Sequence, residues 1–412
     1  MKNKPLIISL ISLVLTIILA MNYKSTPVIN VAAVNSNLET KLKDKIKIET
    51  QSTNEMRAVW VSFMSLNMSG SDYSEVEFKK KFDNIIDESK KHNINTLVVH
   101  VRPFNDSLYP SNYFPWSNII SGEQGKSPGF DPLDYMITAT HNAKMQFHAW
   151  VNPMRIQINN TPNVLCESNI YNVLKNDSNN PVDIIMETDT GKYLNPGYSK
   201  IRKIIIDGVK EIVEKYPVDG IQFDDYFYPN DNCELDKICY NNYCSCSGNE
   251  CPLSQIQWRL ANINNLISGT YNAIKSIKPN VSFGISPQCN VDNDLKVGAD
   301  VFTWCKTPGY IDYICPQTYV SLEHPLLPFS KSMKQWKDII KCKDIKLYFG
   351  LAMYKAGSDA DNGTWKNHDN ILKTQVEQCR QIGCDGFMLF SFEDFKNEKA
   401  YGEIQNVMSV LN

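Results

Sequence analysis

The stretch VDGIQFDDYFYP, Val218–Pro229, decides how this chain is read. Asp219-Gly220 has the chemistry of a turn, Ile221-Gln222-Phe223 reads as a short buried strand, and Asp224 and Asp225 follow where that strand ends. Neighbouring side chains on a strand point to opposite faces, so the two carboxylates cannot share one environment. A charged pair at the end of a buried strand is costly unless it is used or paired. Two acids in unlike surroundings suit acid–base chemistry. The plain structural alternative is that one of them forms an ion pair with Arg102 or Arg155.

Outward from this stretch, strand-like and helical segments alternate. Met56–Phe63, Asn95–Arg102, Gln146–Asn152, Val281–Ser286, Ile311–Tyr319, Lys346–Tyr354 and Gly386–Phe392 read as further strands. Asn95–Arg102 is a near-continuous apolar run, as expected of a parallel sheet covered on both faces. Glu75–Lys91 places Phe78, Phe82, Ile85 and Ile86 on one helical face. Further helices are expected over Pro132–Ala143, Lys200–Lys215, Leu253–Ile277, Ser330–Lys341 and Asn370–Ile382. Eight strands alternating with helices predict a single-domain (β/α)8 TIM barrel over 55–412. A doubly wound sheet is the rival. The barrel is favoured because the long, aromatic-rich loops all follow strands, whereas the helix-to-strand links are short.

In such a barrel the strand ends meet at one mouth. That places Arg102, Asn152, Arg155, Gln317 and Tyr319 beside Asp224 and Asp225, with Glu393 following the last strand. Trp116, Trp150, Trp304 and Trp365 lie where they could line it, although Trp60 and Trp150, on strands, also read as core. His100, on a buried strand, reads first as a core histidine. Aromatic faces, carboxylates and amides are the inventory of a carbohydrate site. The chain shows no Gly-rich phosphate cradle and no nucleophilic Ser elbow.

Composition is that of an ordinary globular protein: 42% hydrophobic, 21% charged, formal net charge −3, which gives no support for a nucleic-acid partner. Lys2 and Lys4 precede an apolar run from Pro5 to Met21, so residues 1–22 read as a signal peptide or a membrane anchor. Residues 23–54 read as a polar linker. Either reading puts the domain outside the cytoplasm, at the outer membrane face or the cell wall, with residues 5–21 as the possible membrane contact. Of the 12 cysteines, Cys233, Cys239, Cys244, Cys246 and Cys251 fall in the loop 230–252. Their spacing lacks the paired CxxC of structural zinc sites, and disulfides, with Cys289 as a sixth member, are expected. Asp359-Ala360-Asp361-Asn362-Gly363 resembles a calcium loop but lacks its downstream Glu. No metal or cofactor is called for, and the sequence sets no oligomeric state.

Several motifs resemble one family. FPWS at Phe114–Ser117, SGEQG at Ser121–Gly125, FDPLDY at Phe130–Tyr135 and HAWVNPMR at His148–Arg155 are similar to the glycosyl hydrolase-like 10 family of the bacterial envelope. So are YLNPG at Tyr193–Gly197, VDGIQFDDYFYP, WRLANIN at Trp258–Asn264, FGISP at Phe283–Pro287 and IDYICPQTY at Ile311–Tyr319. The resemblance implies a barrel glycosidase, and some of the family act on peptidoglycan glycan strands. Gln222 stands where the family usually has His, and Gln288-Cys289-Asn290 replaces an aromatic and Gly-rich run. Asp219, Gly220 and Asp224 also match the chitinase-type signature DGxDxDxE, but Gln222 and Tyr226 replace its other two acids.

The expectation is a glycoside hydrolase acting on an N-acetylated cell-wall polysaccharide. Asp224 or Asp225 is the acid, Glu393 a second carboxylate, and Arg102, Trp116, Asn152, Arg155, Gln317 and Tyr319 hold the sugar. A non-catalytic glycan-binding barrel is the alternative. A metal-dependent deacetylase is weaker, because the six histidines are not at ligand spacing.

Overall fold

The structure is a computed structural model that describes residues 55–411 except 247 and 249. The expected signal or anchor at 1–22 and the linker at 23–54 lie outside the described residues. Among the described residues no helix is long and apolar enough to cross a membrane.

Eight parallel strands close into a barrel in the order β1 (Met56–Val61), β2 (Thr96–Arg102), β3 (Gln146–Val151), β7 (Gly220–Phe223), β8 (Ser282–Ile285), β9 (Tyr313–Ile314), β10 (Lys346–Ala352) and β11 (Gly386–Phe390), with β11 returning to β1. The opening stretch therefore supplies the fourth barrel strand, as its sequence predicts.

Period-two alternation sorts each strand into two layers. Val59, Val61, Leu97, Val99, Ile221 and Phe223 face outward into a core shared with the helices. Ala58, Trp60, Val98, Trp150, Tyr313, Cys315, Tyr348 and Met388 face inward and fill the lumen. Burying each of the larger side chains stabilises the barrel by about 1.5–3 kcal/mol. Two glycines make room for the largest rings. A Cβ on Gly284 would lie 2.1 Å from a Tyr313 ring carbon, and one on Gly350 would lie 2.9 Å from Trp60.

The helices form where their apolar spacing predicts. Glu75–Lys91 buries Phe78, Phe82, Ile85 and Ile86, and Ser74 caps it by accepting from the Glu77 amide. Loss of such a cap costs about 1 kcal/mol.

Three expectations change. The segment after β3, read as a loop, contains a small antiparallel sheet ordered β4 (Arg155–Ile158), β6 (Gly191–Leu194), β5 (Ile185–Thr188). The sixth barrel strand shrinks to Tyr313–Ile314, because Pro316 has no amide to continue the ladder; Gln317 then makes only single bridges to Gln288 and Gly350. The expected disulfide set is not formed, since all twelve cysteines are free thiols in the structure. Cys239 is buried, with its sulfur close against Gly197. The Cys289 sulfur instead meets the Ser332 hydroxyl at 3.1 Å.

Candidate active site

Asp224 ends β7 on the lumen side and is 2% exposed. Its Oδ2 accepts from Trp150 Nε1 and from Asn152 Nδ2, both at 3.0 Å. Both donors sit on or just after β3, whose register with β7 pairs Trp150 with Gln222 and Val151 with Phe223. Burial pushes the Asp224 carboxyl up to about 7. Arg155 pulls the other way, and the neighbouring Asp225 adds to the rise.

Asp225 is less buried and lies just past the strand end. Its Oδ1 accepts from Gln317 Nε2 at 2.8 Å, and Gln317 also donates to the Ser286 carbonyl at 2.9 Å. Its carboxyl is raised by burial and lowered by Gln317. The pair is thus unequal in the sense the strand geometry predicts: one carboxyl takes an indole and a side-chain amide on Oδ2 and the Tyr226 amide at 3.4 Å on Oδ1, the other one side-chain amide alone.

Both acids line a cavity of about 150 Å³ at the C-terminal strand ends. Trp60 and Trp150 form its floor, and Tyr226, Tyr319 and Phe390 contribute walls. Arg155 borders it with its guanidinium over the Phe104 and Tyr226 rings, at 5.0 and 4.9 Å, and its Nε donates to the Pro103 carbonyl at 3.2 Å. Among the described residues no ion pair joins Arg155 to either aspartate, so the ion-pair reading of the acids does not hold.

His100 also borders the cavity, with its ring stacked 3.7 Å from that of Trp150. Burial first, and Arg155 second, hold its pKa well below the ordinary value, so it is neutral. Among the described residues neither of its nitrogens has a hydrogen-bond partner, nor does either amide atom of Gln222 in the same layer. Sequence reasoning set His100 aside as core. Its position two residues before the end of β2, facing inward, was the signal that could have found it.

The other expected site residues separate. Asn152, Arg155, Gln317 and Tyr319 meet at the cavity or its support. Arg102 does not. The β2–β3 register slips between His100 and Arg102, and the Arg102 side chain goes to the helix side, fully buried, with its guanidinium 4.3 Å from the Phe114 ring centre. Such a slip reverses which face the next side chain takes. Trp116 packs against the outer core, and its backbone bridges to Ser107. Trp304 and Trp365 are fully buried and donate to Asn264 and Asp361. Glu393 stands behind the wall of the cavity, half buried, and accepts from Ser62, Ser65 and Ser391.

The calcium-like run is a clamp. The Asp361 carboxylate takes the Ser321 amide, the Trp365 indole and Lys355. Among the described residues no cluster of His, Cys, Asp or Glu is placed to hold a metal ion. A larger cavity, about 740 Å³, opens at the opposite end of the barrel around His148, Lys275 and Asp312. There Lys275 pairs with Asp312, and the His141 ring hydrogen-bonds Asp219, both at 2.8 Å.

Residues 55–367 match the family described as glycosyl hydrolase-like 10. The chain is 33% identical over 369 residues to Glycosyl hydrolase YngK of Bacillus subtilis (strain 168), across 84% of this chain and 69% of that one. It is 30% identical over 387 residues to Glycosyl hydrolase DigH of Escherichia coli (strain K12), across 84% and 85%. Among solved structures, the PgaB (BpsB) glycoside hydrolase domain from Bordetella bronchiseptica aligns with a TM-score of 0.57 at 11% identity, covering 86% of this chain and 99% of that one. The endo-1,4-beta-mannanase from Rhizomucor miehei aligns with a TM-score of 0.52 at 9% identity, covering 87% and 94%. Both structural likenesses speak for the barrel rather than for a shared substrate. With the family match spanning most of the folded domain, the chain belongs to the glycosyl hydrolase-like 10 family and is a glycoside hydrolase.

Proposed function

We propose that this chain hydrolyses an N-acetylated cell-wall polysaccharide of the peptidoglycan type, with Asp224 as general acid. One observation carries the reading: two carboxyls in unlike environments share a cavity of about 150 Å³ walled by aromatic rings. That volume suits one sugar ring. Trp60 and Trp150 give it an apolar floor, Arg155 offers guanidinium donors, and Gln317, with both N–H bonds already given to Asp225 and Ser286, offers its Oε1 as an acceptor. The choice of a peptidoglycan-type glycan rests on the family motifs.

Asp224 has the properties of the acid. Oδ2 is taken by two N–H donors, whereas Oδ1 accepts only the long 3.4 Å bond from the Tyr226 amide, so Oδ1 is the oxygen placed to carry the proton. Its pKa of about 7 keeps a useful fraction protonated near neutrality. In the reaction the proton passes from Oδ1 to the glycosidic oxygen and the bond from that oxygen to the sugar carbon breaks. Positive charge develops on the ring, where Asp225 stabilises it; a water oxygen then bonds to that carbon and its proton passes back to the carboxyl pair, restoring the acid. Asn152 and Trp150 hold Asp224 in place, and His100 supports the Trp150 ring from its face.

The chain would act outside the cytoplasm, delivered by residues 1–22. Incubation with purified glycan strands, followed by reducing-end assay, tests the proposal. Wild type should release reducing ends. Asp224→Asn and Asp225→Asn should each lose at least about a thousandfold in kcat while keeping the wild-type melting temperature within a few degrees. Glycan pull-down without any release by the wild type would favour the binding-only alternative.

A further inference from the structure

Glu393 was expected to act on the substrate, and its surroundings point elsewhere. It lies in the short turn Phe392–Lys396 that follows β11. Its Oε1 accepts from Ser62 Oγ at 2.8 Å and from Ser65 Oγ. Its Oε2 accepts from Ser391 Oγ at 2.6 Å. Both carboxylate oxygens are therefore engaged by hydroxyls, and the carboxylate does not border the cavity. Burial opposes its ionisation, but the hydroxyls of Ser391, Ser65 and Ser62 and its own amide outweigh this and keep its pKa below the ordinary value.

What Glu393 holds does border the cavity. Ser62 ends the first barrel strand and caps the short helix Phe63–Leu66 by accepting from the Met64 amide at 3.1 Å. Ser62, Phe63 and Met64 line one wall. The Phe63 ring meets His100 and Phe104 edge-on, at 5.9 and 4.9 Å between centres. Met64 is 60% exposed at the rim of this wall. Phe390, next to Ser391 at the end of the last strand, lines the adjoining wall. One carboxylate thus ties together the ends of the first and last barrel strands, and each end supplies a wall of the sugar cavity.

We propose that Glu393 is a positioning residue that sets the width of the sugar subsite by fixing the Ser62–Met64 wall against Phe390. The assignment rests on the hydrolase reading above. It separates two roles that an acid near a glycosidase cavity could play. A carboxylate that attacks or removes a proton cannot be replaced by an amide. A carboxylate that only collects hydroxyls can be, because Gln keeps one acceptor oxygen and each serine hydroxyl can turn to accept from its NH₂.

The test is steady-state hydrolysis of two probes, purified peptidoglycan glycan strands and chitotetraose, by wild type, Glu393→Ala, Glu393→Gln and Ser65→Ala. On the probe that wild type cleaves, Glu393→Ala should raise KM about tenfold with kcat within about threefold, as expected when ground-state positioning is lost. Glu393→Gln should restore KM to within about threefold of wild type, and Ser65→Ala should raise it by about threefold. The position of the pH–rate profile should not move in any of the three. A loss of kcat beyond about a hundredfold in both Ala and Gln variants would overturn the assignment in favour of direct chemistry. An unchanged KM in Glu393→Ala and Ser65→Ala would overturn it as well. Should Glu393→Ala fail to fold, Ser65→Ala and Glu393→Gln decide alone. If wild type cleaves neither probe, the hydrolase reading itself fails and the assignment falls with it.

Discussion

The lower and upper halves of the barrel lumen each hold a histidine, and the two are treated differently. Below, His148 shares a hydrogen bond of 3.1 Å with the Tyr313 hydroxyl, and its ring lies over Gly220, where a Cβ would come within 2.5 Å of it. Above, His100 lies flat on Trp150 with neither nitrogen paired. Gln222, beside it, is equally unpaired, and Asp224 carries a carboxyl pushed far from its ordinary range by burial. The lower half is arranged for packing. The upper half keeps polar groups at a cost of about 1–3 kcal/mol for each unmet buried group, which a fold tolerates where a site needs them.

Substitutions can break or sharpen this contrast. The largest effect is expected below. Gly284→Ala would drive a methyl into the Tyr313 ring, 2.1 Å away, and should cost about 3 kcal/mol or more in a denaturant melt. The fraction still folded should keep wild-type kcat. A variant as stable as wild type would show that the lower lumen is loosely filled.

The next effect belongs to Asp224. Its folded pKa, about 7, lies above its unfolded value, so the native state binds the extra proton between those two values. Wild type should therefore lose stability as pH rises from about 4 to about 7, and Asp224→Asn should not. At pH 8 the variant should be more stable than wild type by about 4 kcal/mol, the equivalent of a shift from 3.8 to about 7, and at pH 4 the two should match. Parallel stability curves across that range would remove the premise of a buried, protonated acid.

Trp150→Phe keeps a ring against His100 but removes one of the two donors to Asp224 Oδ2. That hydrogen bond lowers the carboxyl's pKa, so its loss should raise it further and shift the pH–rate profile toward higher pH. We expect kcat to fall by about 10–30-fold. An unmoved profile would mean that the indole does not govern Asp224.

The smallest effect is expected at His100. Phe keeps the stacking face and deletes two unpaired buried nitrogens, so His100→Phe should be neutral or stabilising by about 1 kcal/mol in thermal melts. A clear loss of stability would place His100 with the packed lower half.

Much of the barrel was legible because its strands are buried on both faces and its long loops all follow strands. The small sheet β4–β6–β5 was not. Each of its strands has only four residues, too few for a period to declare itself. The asymmetry of Asp224 and Asp225 was legible from strand alternation alone. The partners that create it were seen in part: Asn152 and Gln317 as residues near the mouth, but as sugar ligands rather than as donors to the two carboxylates. Arg102 was misplaced because one register slip reversed its face, and no residue type announces such a slip. Trp60 and Trp150 read as core, and they are core; the sequence could not say that the top of that core is also the floor of the cavity. The Cys-rich loop was read from composition, whereas pairing depends on distances that composition does not contain.

The central claim is that Asp224 keeps a large protonated fraction near neutrality beside an acid in a different setting. The most direct measurement is a titration of the aspartate side-chain carbons by ¹³C NMR, in wild type and in Asp224→Asn. The account predicts one resonance, absent from the variant, that titrates with a midpoint of about 7. If that resonance instead titrates near about 4, as an ordinary aspartate does, Asp224 is not the acid and the account is contradicted.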